Sequence, residues 1–215
     1  MTVAELPRRI PLGQSSFEDL RSLGKIYVDK TELIGSLASD VSKIFLARPR
    51  RFGKTLLVST FESLFLNGLH YFQGLSIEHF WKDEGKYNVL HLYFSRLTNF
   101  SNIEEFRFKL NDYLITAFEF CGLSFPQTKQ TAASNFESWL GTCPHQSVVF
   151  LVDEYDAPLT AVLHDSNLFK LVRKELYEFY SVVKSRTGFF RFVFMTGITK
   201  FNETGGDCYK FSVAI

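Results

Sequence analysis

The sequence predicts an α/β protein whose mainly parallel sheet is covered by helices on both faces. Short, apolar, β-rich runs recur at 42–48, 88–94, 147–153 and 189–197. Segments with helical three-and-four spacing lie between them, and buried strands alternating with helices build parallel sheets packed on both sides. At 215 residues, 46% hydrophobic and 16% aromatic, the chain has material for a substantial core.

In chain order, two short helices come first. Ser16 with Asp19 forms a capping box opening SFEDLRSL, which Gly24 closes. Asp29 with Glu32 gives the same signal before KTELIGSLAS, and Asp29 is read as that helix's N-cap. SKIFLAR at 42–48 is the first strand and runs straight into the basic loop RPRRFGKT. TLLVSTFESLFLNG follows as a helix, with Leu57, Phe61, Leu64 and Phe65 on one face and Asn67-Gly68 as its stop. NVLHLYF at 88–94 is the second strand, and IEEFRFKLNDYLITAFEF the next helix, leaving through Gly122. TKQTAASN at 128–135 reads as a solvent-exposed connection. SVVFLVD at 147–153, a helix over NLFKLVRKELYEFYSVVKS leaving through Gly188, and FFRFVFMTG at 189–197 complete the series.

A net charge of +1 provides no global field toward nucleic acid or an anionic membrane, so nucleic-acid binding through Arg48, Arg50 and Arg51 ranks last. Cys121, Cys143 and Cys208 lie far apart without a CxxC pair, which fits reduced thiols. The N-terminus carries no apolar stretch of signal-peptide length, and nothing approaches the ~18 apolar residues of a membrane span. The expectation is a cytoplasmic protein with no membrane partner. The five histidines show no HxH or HxxxH spacing, and no GxSxG occurs.

Chemistry concentrates in three places. A phosphate cradle needs inward backbone N–H groups, a helix N-terminus, a lysine for the outer phosphates and a hydroxyl for magnesium. In RPRRFGKT, Gly53 permits close approach, Lys54 can reach the β and γ phosphates, and Thr55 can bind Mg²⁺. Arg48 stands where the first glycine of GxxxxGK[ST] belongs, and Pro49 removes an amide donor. A basic turn that happens to contain Gly-Lys-Thr is the alternative. Second, VVFLVDEYDAP delivers Asp153 and Glu154 at the C-terminal end of a strand, where ligands of open α/β sheets sit. Asp153 can hold Mg²⁺ and Glu154, pointing off the other side of the strand end, can polarise a water. The plain alternative is a solvated strand end or helix cap. Third, FRFVFMTGITKF brings Thr196 and Thr199 to the sheet edge, as γ-phosphate sensors or as parts of a turn.

Together, PLGQSSFEDLRSLGKIYVDKTELI, FLARPRRFGKTLLVSTFESLF, FLVDEYDAPL and FVFMTGITKF resemble the bacterial AAA-ATPase-like family, over roughly residues 9–201. The resemblance implies a three-layer P-loop ATPase core of the additional-strand type, binding ATP and Mg²⁺. It implies a Walker A loop running through Arg48, Pro49, Arg50, Arg51, Phe52, Gly53, Lys54 and Thr55, with Asp153 and Glu154 in the Walker B role. Lys54 and Glu154 are then the catalytic residues, and Thr55 and Asp153 the metal ligands. The loop arginines can contact phosphates, pair with Asp156, or face a partner. Members are often followed by a PD-(D/E)XK nuclease-like domain, whereas here GITKF leads into NETGGDCYKFSVAI and no D…ExK constellation follows. The expected organisation is an N-terminal helical segment over 1–41, the NTPase core over 42–201, its C-terminal part incomplete, and an atypical tail over 202–215. The leading function is a Mg²⁺-dependent ATP hydrolase; the alternative is a nucleotide-binding interaction module with little or no turnover. A protein partner or a second copy of the chain fits either.

Overall fold

In the computed structural model, which describes residues 10–39 and 43–198, the four apolar runs become four parallel strands. These are β1 (Lys43–Ala47), β2 (Asn88–Tyr93), β3 (Val148–Asp153) and β4 (Phe190–Gly197), in the sheet order β1-β4-β3-β2. β4 is thus inserted between the strand that feeds the basic loop and the strand that ends in Asp153. The expected tail at 202–215, the 41/42 boundary and Thr199 lie outside the described residues.

Strand alternation sorts the core into two layers. Leu90, Leu92, Phe150, Val152, Val193 and Met195 face α4 (Ile103–Phe120), α5 (Ala132–Leu140) and α7 (Ser166–Ser185). Val89, Val149, Leu151, Phe192 and Phe194 face α1 (Phe17–Ser22), α2 (Thr31–Ser39) and α3 (Lys54–Asn67). On the second face Phe61 of α3 sits 4.8 Å from the rings of both Phe192 and Phe194, which fixes α3 across the middle of the sheet. Among the described residues no helix is long and apolar enough to cross a membrane.

Two expectations need correction, and one element had not been expected. TKQTAASN is not simply a connection: α5 starts at Ala132, with Thr131 as its N-cap accepting from the Ser134 amide, and buries Phe136 and Trp139 against α4 and α7. Its polar start hid an amphipathic segment. A short helix, α6 (Ala157–Ala161), also follows the acidic turn. α7 ends at Ser185, before Gly188, because a 3-10 turn over Thr187–Phe189 intervenes.

The N-terminal helices form as the caps predict, but Asp29 does more than cap. Ser16 Oγ accepts from the Asp19 amide. Since α2 begins at Thr31, Asp29 lies one position before the cap; its Oδ1 accepts from the Thr31 amide and hydroxyl, and its Oδ2 from the amide and hydroxyl of Ser76. Burial would raise its pKa, yet these four donors outweigh that and hold the carboxyl at about 2.

α4 and its C-cap residue Cys121 cover part of the outer edge of β2: the Tyr93 amide donates to the Tyr113 hydroxyl, and the His91 backbone is bonded to the Cys121 thiol.

Candidate functional site

Ala47 pairs with Gly197, and the Arg48 amide extends the ladder by donating to the Gly197 carbonyl at 3.1 Å. The chain then turns sharply. Arg51 has φ 68° and Gly53 φ 71°, both left-handed, and Gly53 is the N-cap of α3. A side chain at Gly53 would meet no atom within 4 Å, so the backbone angle and not space explains glycine there. With no side-chain cap and no acidic residue in the first turn, the N–H groups opening this 14-residue helix are left for an anion.

The loop wraps its own lysine. Lys54 is 7% exposed, and its Nζ donates to the carbonyls of Arg48 and Pro49, at 3.0 Å each. Thr55, half-buried, follows in the first turn. Arg48, Pro49, Arg50, Arg51 and Phe52 are all exposed. None of the ion pairs among the described residues uses the three arginines, and the expected alternative of pairing with Asp156 is not realised: Asp156 is buried and accepts from the Ile198 amide at 3.0 Å.

Two strands away, β3 buries all six of its residues and ends at Asp153. With neighbouring strands roughly 4.8 Å apart, β1 and β3 are separated by about 10 Å across β4. Asp153 shares the side of Leu151, facing α3, and Thr196 shares the side of Phe194. The Thr196 hydroxyl donates to Asp153 Oδ1 at 2.5 Å, so this buried pair is already joined across the strands. Thr196 also accepts from the Glu154 amide at 3.4 Å, and its carbonyl from the Tyr155 amide at 2.9 Å. The residue proposed as a sensor therefore anchors the acidic turn.

Glu154 differs from the expectation of simple strand alternation. Its φ of 55° is left-handed, so the strand stops at Asp153 and the half-buried Glu154 is set by the turn. That turn packs tightly on the end of β4. A Cβ at Gly197 would lie 2.4 Å from the Tyr155 ring and 2.8 Å from Asp156 Oδ1, which only glycine avoids.

Three residues that sequence reasoning did not single out flank this edge. Tyr93, the last residue of β2, lies opposite Asp153 in the ladder. Burial first, then the Glu62 and Asp153 carboxylates, push its phenol well above the usual range. Beneath it His91 stacks at 3.9 Å and donates through Nδ1 to Glu62 Oε2 of α3 at 2.9 Å. Only the alternation in NVLHLYF, which sets His91 and Tyr93 on one face, signalled any of this.

Among the described residues no group of three or more His, Cys, Asp or Glu side chains is spaced to hold a metal. The Thr55 hydroxyl and the Asp153 carboxylate are hard oxygen donors of the kind magnesium takes, and a magnesium ion ordinarily completes its shell with water and phosphate oxygens. The donor set fits on those terms.

The family model described as "Predicted AAA-ATPase" matches residues 11–205. The chain is 28% identical over 198 residues to an uncharacterized protein in the vnfD 5' region of Azotobacter chroococcum mcd 1, covering 91% of this chain and 38% of that relative. The chain therefore spans well under half of the relative's length. No solved structure matches.

Proposed function

The chain belongs to the AAA-ATPase-like family, and from that premise we propose that it binds ATP with magnesium at the C-terminal edge of its sheet and hydrolyses it. The observation that carries this reading is the pairing of an uncapped helix start, closed around a buried lysine, with a buried aspartate two strands away on the same face.

In this reading the amides opening α3 receive phosphate oxygens, and Lys54 leaves the Arg48 and Pro49 carbonyls for the β and γ phosphates. Thr55 and Asp153 are the metal ligands, and magnesium would neutralise charge on the transferred group. Thr196 holds Asp153 in one orientation. Glu154, fixed by the left-handed turn, orients the attacking water. Catalysis is positioning plus charge stabilisation, with no covalent intermediate on the protein.

A phosphate-release assay with Lys54→Ala and Glu154→Gln tests the roles. Both variants are expected to lose turnover, Glu154→Gln while still binding ATP. Hydrolysis at the wild-type rate by both would remove the assignment, and tight ATP binding by the wild type without phosphate release would select the interaction module instead.

A further inference from the structure

We infer that Tyr93 is a positioning residue of the nucleotide site: its hydroxyl oxygen accepts from a water of the bound magnesium's shell, beside Asp153. The inference rests on the ATP and magnesium reading above and deepens it by naming a side chain that acts on the metal's water.

Three strands bring one residue each to the same level of the sheet. Tyr93 of β2 is the ladder partner of Asp153 of β3. Thr196 of β4 follows Met195, the partner of Val152, and so flanks Asp153 on its other side. Strand spacing puts each neighbour roughly 4.8 Å from the aspartate backbone. All three lie on the α3 side: His91, two residues before Tyr93, is bonded to Glu62 of α3, and alternation sets Tyr93 with it. Glu62 lies seven residues past Thr55, two helical turns, so the face of α3 turned to the end of β2 is the face that carries Thr55. Besides burial, the Glu62 and Asp153 carboxylates are what raise the pKa of the Tyr93 phenol, which locates it between that helix and β3.

The two flanks of Asp153 differ. On the β4 side the Thr196 hydroxyl donates to Oδ1 at 2.5 Å. On the β2 side neither Asp153 Oδ2 nor the Tyr93 hydroxyl is hydrogen-bonded to a described residue. Neither oxygen is among the polar atoms that are both unpartnered and shut off from solvent, so both reach it. The rest of Tyr93 serves the fold: its ring stacks on His91 at 3.9 Å, and its amide donates to the Tyr113 hydroxyl. A phenylalanine would make both contacts. Only the hydroxyl is left without a structural reason. A phenol both donates and accepts; its own proton has the Glu62 carboxylate beside it, which leaves the oxygen lone pairs as acceptors. Magnesium keeps several waters when it binds through one or two protein oxygens, and those waters need acceptors. Thr196 takes one oxygen of Asp153, the metal takes the other, and the phenol receives the adjoining water.

The test is calorimetric titration of the full chain with the β,γ-imido analogue of ATP, once with magnesium and once with a chelator, for the wild type and Tyr93→Phe. Phenylalanine keeps the stack on His91 and removes the oxygen alone. The wild type is expected to bind the analogue more tightly with magnesium, and Tyr93→Phe to lose on the order of tenfold of that enhancement while matching the wild type in the chelator. A Tyr93→Phe chain that keeps the full enhancement overturns the inference. So does one that weakens the analogue alike in both conditions, since the hydroxyl would then serve the fold or the nucleotide itself. A wild type indifferent to magnesium overturns it together with the metal assignment and leaves nucleotide binding standing, whereas a wild type that binds the analogue in neither condition overturns the ATP reading as well.

Discussion

At the edge where the strands begin, Arg191 is clamped by Asp83 at 2.8 Å and by the rings of Phe65 and Tyr87 at 5.6 and 5.9 Å. At the edge where the strands end, Arg48, Arg50 and Arg51 are exposed, and Lys54 has only neutral carbonyls as hydrogen-bond partners. Arg191 is thus neutralised by a carboxylate at one end of the sheet, whereas none of the four loop cations is at the other. Folding stability explains the first arrangement. It does not explain the second, where like charges are gathered with no carboxylate among their hydrogen-bond partners. The polyanion site proposed above accounts for that gathering.

The contrast breaks if variants at the two edges have the same consequences. Lys54→Ala should have the largest effect, lowering ATP turnover on the order of 10² to 10³-fold, with little change in the urea midpoint. Arg191→Ala should do the reverse: it leaves the partly buried Asp83 without its guanidinium, and a loss of about 2–3 kcal/mol in urea unfolding is expected, with ATP affinity unaltered. Thr196→Val tests the joint between β3 and β4. One hydrogen bond to a carboxylate contributes about 1.5–3 kcal/mol, so turnover should fall roughly tenfold or more through misorientation of Asp153, with magnesium dependence shifted to higher concentration.

Two smaller effects sharpen the comparison. Burial would raise the Asp83 pKa, but the Gly85 amide, the Tyr87 hydroxyl and Arg191 together hold it below its ordinary value of 3.8. A depressed carboxylate contributes stability that is fully present above the unfolded pKa and is lost as pH falls through the folded one. Acid unfolding followed below pH 4 should therefore be shallower in Asp83→Asn than in the wild type. Last, Arg50→Gln should leave unfolding within about 0.5 kcal/mol while weakening ATP, a loss that salt should partly mask in the wild type.

Much of this was legible in the sequence, for identifiable reasons. The strands could be read because each is a short apolar run, and β3, buried on both faces, is apolar throughout to Asp153. The positions of Lys54 and Thr55 at a helix start and of Asp153 at a strand end could be read because each is set by a local pattern. What escaped is nonlocal. Thr196 meets Asp153 across 43 positions and His91 meets Glu62 across 29, pairings set by sheet order and the seat of α3. α5 escaped because its apolar stripe begins behind a polar lead, and α6 because five residues with Pro158 give too short a period. Glu154 was placed on the wrong rule, since alternation holds only while the backbone stays extended.

The seat of Lys54 bears on the heat of association. Its ammonium surrendered most of its hydration when the chain folded, and the Arg48 and Pro49 oxygens replaced that water. An arriving triphosphate would exchange dipolar acceptors for anionic ones around a cation that is already dry. Titration should accordingly register the event as exothermic, and Lys54→Arg, whose fork is too broad for two adjacent carbonyls, should forfeit that calorimetric signal although the charge is kept.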